Sequence, residues 1–178
     1  STVTGLVGAV GGFELAGITT GTTGVVTLDG NWAATTTTIQ AGGTLKTTAA
    51  RTMEGAIANS GTLDLGGTLT LTAGGGTAEL GTAAGTIMLA PVSDYTSSVV
   101  ISAAANTVVN ATTAGTITPD ASFTSGTLTI IDDTGAGGTA ADVAKWTVTS
   151  NALASYALSV NTGDLILTAT ANSSSAIA

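Results

Sequence analysis

The chain has 178 residues, with no cysteine, no histidine and a net charge of −8 that comes from eleven acidic and three basic side chains. Without cysteine, disulfides and thiolate metal sites are excluded, and three cations are too few to follow the phosphates of a nucleic acid or an anionic membrane surface. Because only 8% of the residues are charged and the mean hydropathy is +0.49, we expect a protein that assembles or lies in a surface layer.

The first ten residues are uncharged and rich in apolar side chains, and Gly11-Gly12 follows them. They predict either the first coil of a stack or a strand donated to the next subunit, with the glycine pair as its hinge. The start Ser-Thr-Val-Thr is typical of a mature end left by signal-peptide cleavage, so we expect export to the cell surface or beyond. The candidate assembly residues are Val3, Leu6, Val7, Val10, Gly11 and Gly12.

Short segments that begin with glycine recur about every 18 or 19 residues, at Gly24, Gly43 and Gly61. After Gly61, Leu63 and Leu65 alternate with polar residues, which is the pattern of a strand with one buried face. A single short strand cannot cover its own apolar row, so the repeat predicts coils that stack and pair in parallel. Eight or nine coils would follow from this spacing.

The predicted fold class is therefore all-β. The predicted inward row consists of Leu28, Leu45, Leu63, Leu65, Leu69, Leu71, Leu128, Ile130, Leu165 and Leu167. We divide the chain into an N-terminal strand (1–12), the coils (13–118) and C-terminal coils or a cap (119–178). Larger side chains around Trp146 and Tyr156 predict that this last region is atypical, because an open end exposes unpaired strand edges.

The units Gly61 to Leu65 and Gly67 to Leu71 have the form Gly-Thr-Leu-x-Leu, and the segment from Trp146 to Leu167 looks like a terminal coil. The chain thereby resembles the autotransporter-associated β-strand repeats of bacterial surface proteins. The resemblance implies a right-handed parallel β-solenoid, or β-helix, that is exported and acts as a stalk, adhesin or fibre. Because no membrane-anchoring barrel follows the last coil, we expect a free subunit that polymerises.

Catalysis is not expected, because the adjacent acids Asp132 and Asp133 would face opposite sides of a strand and no histidine accompanies them. No cofactor is expected apart from a calcium ion in the acidic, glycine-rich segment that contains Asp132, Asp133 and Asp142, because carboxylate and carbonyl oxygens are the ligands of Ca²⁺. An ordinary turn is the alternative interpretation of that segment.

The sequence favours a structural function: a homopolymeric subunit of an extracellular fibre that assembles head-to-tail through strand pairing. One alternative is a surface stalk or adhesin fragment that binds a surface glycan or a receptor. Another is ice binding, because Thr-x-Thr segments such as Thr68 to Thr72 resemble the flat faces of ice-binding solenoids. Nucleic acid and insertion into a membrane are not expected.

Overall fold

The computed structural model describes residues 2–4, 15–72, 78–82, 85–103, 107–111, 115–132 and 145–173. The protein is mostly β, with 63% of it in strands and almost no helix. The strands are β1 (Thr2–Thr4), β2 (Ile18–Thr19), β3 (Gly24–Asp29), β4 (Trp32–Ile39), β5 (Gly43–Thr47), β6 (Arg51–Asn59), β7 (Thr62–Leu65), β8 (Leu69–Thr72), β9 (Ala78–Thr82), β10 (Thr86–Leu89), β11 (Val99–Ala103), β12 (Thr107–Ala111), β13 (Gly115–Thr118), β14 (Gly126–Asp132), β15 (Trp146–Val148), β16 (Ala154–Asn161) and β17 (Asp164–Ala171).

The strands form two sheets, and the chain alternates between them. The first sheet has the order β1-β3-β5-β7-β10-β13-β15, and all its pairs are parallel. The second sheet has the order β12-β9-β6-β8-β11-β14-β17-β16, with β4 paired to β6 and β2 to β4. Strand β6 belongs to two lines of pairing, because Arg51–Glu54 pair with β8 and Ile57–Asn59 pair with β9. This confirms an all-β protein built on parallel sheets.

Each circuit of the chain adds one strand to the first sheet, but the circuits are unequal. In-register positions run from Gly24 to Gly43 and from Thr44 to Thr62, then from Thr62 to Thr86, Thr116 and Thr147. The separation grows from 18 residues between Lys46 and Asp64 to 31 between Thr116 and Thr147. The expected eight or nine coils are therefore wrong for the described residues, whose first sheet has seven strands.

The glycines at the corners serve two different purposes. Gly24 has a φ of +101°, in the left-handed region that glycine adopts without strain. Gly61 has no such φ, so a left-handed corner does not explain the glycine at this position. A Cβ at Gly61 would instead approach the carbonyl oxygens of Gln40 and Gly43 more closely than real Cβ atoms do. Gly61 thus lets one circuit lie directly against the previous one.

One continuous core lies between the sheets. All ten residues of the predicted inward row are buried, with exposures of 0 to 2%. They do not form one row, however. Leu45 pairs with Leu63 in the first sheet, whereas Leu128 pairs with Leu167 across an antiparallel contact in the second. The core also contains large residues outside the predicted row, among them Trp32, Met53, Ile87 and Ile117.

The second sheet ends in an antiparallel hairpin made of β16 and β17. Its two turn residues, Thr162 and Gly163, both have positive φ (49° and 108°), as the tight turns that match the twist of paired strands require. Strand β17 is antiparallel to β14, and β16 is antiparallel to β17. The two reversals make β16 run in the same direction as β14 and the other parallel strands.

Candidate functional site

Of the predicted assembly residues, the structure places Val3. It lies in β1, the first strand of the first sheet, where it pairs with Leu28 of the same chain. This pairing agrees with the first-coil interpretation of the N-terminal segment. Leu6, Val7, Val10, Gly11 and Gly12 lie outside the described residues.

The structure places one of the three predicted calcium ligands. Asp132 is the last residue of β14, partly buried and paired with Ser102 of β11. Asp133 and Asp142 lie outside the described residues. Within the described ranges no group of three or more acidic side chains is close enough to hold a metal ion. The calcium site therefore stays a prediction.

A cleft of about 490 Å³ lies beside the second sheet, and polar side chains dominate its lining. Thr52, Thr70, Ser102 and Asp132 line it from four consecutive strands, β6, β8, β11 and β14. They stand in register, with Thr52 opposite Thr70, Thr70 opposite Ser102 and Ser102 opposite Asp132. The ladder spacing places one such side chain about every 4.8 Å. We call these four residues the polar ladder.

The segment between β10 and β11 also lines the cleft through Thr96 and Ser97, and Val99 follows them as the first residue of β11. Two short 3₁₀ turns, Val92–Asp94 and Thr96–Ser98, shape this segment. The segment joins the sheet through Thr68, whose hydroxyl donates to the Val99 carbonyl (2.7 Å) and accepts from the Thr96 amide (2.8 Å). Alternation with Leu69 and Leu71 would place Thr68 on the outer face of the sheet, but these contacts leave it only 7% exposed.

Tyr95 anchors the segment between β10 and β11 through its side-chain hydroxyl. Its buried hydroxyl donates to the Leu65 carbonyl (3.1 Å) and accepts from the Ala90 amide (2.7 Å). Burial raises the pKa of Tyr95 far above its ordinary value, so the hydroxyl keeps the proton that it donates. The cleft wall is therefore fixed to β7 and β10 by one side chain.

Arg51 lies at the opposite side of the cleft, at the start of β6. Its Nη2 donates to the Asp29 carboxylate (2.7 Å) and the Thr48 hydroxyl (3.1 Å), and its Nη1 donates to the Ala50 carbonyl (2.9 Å). Its Nε is buried and has no hydrogen-bond partner within the described part of the chain. Hydrogen bonds from Thr48 and Arg51 hold the pKa of Asp29 below its ordinary value.

The outer face of the first sheet carries a row of threonines on five consecutive strands, Thr44, Thr62, Thr86, Thr116 and Thr147. The hydroxyl oxygens of the last two are 3.3 Å apart. We call this row the threonine row. Two residues further along the same strands, the outward-facing positions are not all threonine.

The position next to the threonine row holds Lys46, Asp64 and Met88 on successive strands. Lys46 Nζ and Asp64 Oδ2 form an ion pair of 2.8 Å across β5 and β7. The sequence showed neither the threonine row nor the polar ladder, because unequal circuits separate their members by irregular intervals. The hydrogen-bond register alone brings them together.

No protein-family model matches this chain, and neither a curated protein nor a solved structure matches it. Across the described residues, no helix is long and apolar enough to cross a membrane.

Proposed function

We propose that the chain is an exported, right-handed parallel β-solenoid of the autotransporter-repeat type. Its function is structural: copies join head-to-tail into an extracellular fibre through strand pairing at their ends. The first sheet, which is parallel throughout and gains one strand per circuit, supports the solenoid assignment, as do the parallel pairs of the second sheet from β2 to β14. The main support for head-to-tail assembly is the unprotected edge of the terminal strand β16.

Strand β16 is an eight-residue edge without a charge or a proline. Among the described residues it pairs only with β17, and Val160 near its end is 44% exposed. Natural sheets usually protect edge strands with lysine, proline or a bulge, because bare backbone donors and acceptors recruit other strands. A long, neutral edge therefore favours pairing with another chain.

Strand direction supports a head-to-tail contact. Strand β16 runs in the same direction as β2 and β4, the first strands of the second sheet. In the first sheet, β1 and β15 are likewise parallel to each other through the intervening strands. Translation of one copy along the stack therefore continues both ladders in parallel. Such a contact joins unlike surfaces and does not close, so it produces a filament.

Negative-stain microscopy of Ala157→Lys and its control tests the proposal. Ala157 is exposed on β16 and lies opposite Thr168 of β17, which in turn lies opposite Thr127 of β14. A lysine at Ala157 places a charge on the pairing edge, and we expect filaments to be lost. Thr127→Lys adds the same charge to an exposed site two strands inside the sheet, and we expect its filaments to persist.

Equal assembly of the two variants would contradict the role of β16. Wild-type protein that stays monodisperse at every concentration would contradict the proposed fibre and leave the stalk or adhesin as the remaining structural function.

Ice binding is a second candidate, and the threonine row favours it. Five threonines in register present a hydroxyl and a methyl group at each strand of a parallel sheet. The ion pair of Lys46 and Asp64 interrupts the neighbouring row. Thermal-hysteresis measurements on wild type and Thr86→Lys test this function, because a lysine in the middle of the row would abolish the activity.

A further inference from the structure

We propose that the cleft beside the polar ladder binds a neutral oligosaccharide. Its volume of about 490 Å³ lies in the range of small-molecule sites, which is about 300–1,000 Å³. The site lies against the strands between β6 and β14, away from the edge β16, so the proposal does not depend on assembly.

The polar ladder offers groups that match a hydroxyl-rich ligand. Thr52, Thr70 and Ser102 each provide a hydroxyl that is both donor and acceptor, and no hydrogen bond between described residues uses these three hydroxyls. They recur at about 4.8 Å along a straight line across the strands. A sugar chain likewise presents hydroxyls at intervals along its length, so several units bind the ladder together.

The shape of the cleft exists before the ligand arrives. Two hydrogen bonds of Tyr95, to Leu65 of β7 and from Ala90, hold the segment in place, and two bonds of Thr68 hold it beside the second sheet. The floor consists of paired strands. In a preformed site, ligand binding orders few side chains or loops and therefore loses little conformational entropy. Individually weak hydrogen bonds then suffice for recognition.

The charges of the cleft favour a neutral ligand over an anionic one. The guanidinium of Arg51 already pairs with Asp29, and the carboxylate of Asp132 lies at the far end of the ladder. A phosphate or an acidic sugar would therefore meet a cation that a carboxylate already neutralises.

Apolar ligands fit this lining poorly, because Ala50 and Val99 are the apolar residues among eleven. A hydrophobic ligand would leave the hydroxyls of the ladder desolvated and unpaired, which is unfavourable for each of these groups. No aromatic residue belongs to the lining. Without stacking on a ring, we expect dissociation constants of about 1 mM.

Amide-resolved NMR titrations of the full chain test the site. The probes are cellotriose, maltotriose and chitotriose, each added to about 20 mM, with inorganic phosphate as the anionic comparison. We expect at least one trisaccharide to shift the amides of Thr70 and Ser102, and phosphate to leave them in place. If no trisaccharide shifts these amides, or if phosphate shifts them more, the proposal is wrong.

Isosteric variants locate the binding. Thr70→Val removes one ladder hydroxyl and keeps the side-chain shape, so we expect the affinity to fall about five- to tenfold. Ser102→Ala serves as an independent second variant with the same expectation. Thr62→Val makes the matched change on the first sheet and should leave the affinity unchanged.

Thermal melts of all three variants verify the folded state. If folded Thr70→Val and Ser102→Ala bind as tightly as wild type, or if Thr62→Val weakens binding equally, the cleft is not the site.

Discussion

Gly61 and Gly24 differ in φ, although Gly24 begins one strand of the first sheet and Gly61 directly precedes another. Its requirement is space, because the carbonyl oxygens of Gln40 and Gly43 occupy the volume of a Cβ. The glycines that recur in the sequence therefore satisfy two different constraints. Gly24 allows a left-handed backbone conformation, and Gly61 allows close stacking of two circuits.

Gly61→Ala should lower the free energy of unfolding by about 1–3 kcal/mol, because the backbone of two circuits must separate to admit the methyl group. Urea denaturation followed by circular dichroism measures the loss. Gly21→Ala is the control, since its Cβ would lie 3.6 Å from the Thr23 carbonyl oxygen, an ordinary contact, and its φ is not left-handed. Equal losses in the two variants would contradict the stacking explanation.

Asp29 should make the stability of the folded protein depend on pH in the acidic range. Its pKa is lowered in the folded protein by hydrogen bonds from Thr48 and Arg51, so its contribution to stability is present above the ordinary pKa of 3.8 and is lost as the pH falls through the lowered value. Between about pH 7 and about pH 3 the melting temperature of Asp29→Asn should fall less than that of wild type. Parallel melting curves with the same pH dependence would show that Asp29 contributes nothing.

At the scale of elements, the segment between β10 and β11 lengthens its circuit. Tyr95 anchors this segment to the hydrophobic core. The phenol fills a buried position while its hydroxyl replaces water for one amide and one carbonyl. A loop anchored in this way forms a fixed cleft wall.

Tyr95→Phe should lower the free energy of unfolding by about 1–3 kcal/mol, because the Ala90 amide and the Leu65 carbonyl lose their shared partner. Hydrogen exchange should speed up at Ala90 and at Thr96, and remain slow at Leu45 in the middle of the first sheet. Exchange that is unchanged at both loop amides would show that the wall is held by other contacts. Phe123 lies outside this pair of bonds, so Phe123→Leu controls for the general loss of core packing.

For the whole molecule, the proposed pairing between ends would couple stability to protein concentration. Copies that associate only when folded stabilise the folded state by mass action, so the melting temperature should rise with protein concentration. The comparison of about 1 µM with about 100 µM protein measures this. The rise should disappear in Ala157→Lys and persist in Thr127→Lys. A melting temperature independent of concentration in wild type would contradict the assembly.

Much of the fold follows from short-range pattern. Alternating residues such as Leu63 and Leu65 identify their buried face because the side chains of a strand alternate, and their burial needs no knowledge of neighbours. The second sheet was harder to predict, since Leu128 follows a Gly-Thr pair like Leu63 and yet lies in the other sheet. Local sequence determines which side of a strand is apolar, whereas the sheet that receives the strand depends on the length of the connection.

The candidate site was less predictable for the same reason. Thr70 and Ser102 look like ordinary solvent-facing residues in the sequence, and only the parallel register places them side by side. Asp132 was singled out as a calcium ligand from its acidic neighbours along the chain, but its described neighbours in space include the hydroxyls of the polar ladder. A linear sequence carries little information on contacts across strands when the repeat length varies.

The unequal circuits have one consequence for how this protein tolerates change. The threonine row stays in register although the chain between its members lengthens from 18 to more than 30 residues. The described segment between β10 and β11 shows how extra residues leave the stack without shifting the strands on either side. Peptides inserted in such a segment would be displayed on the surface with the strand alignment intact, so new loops, and with them new binding specificities, can be added without redesigning the sheets.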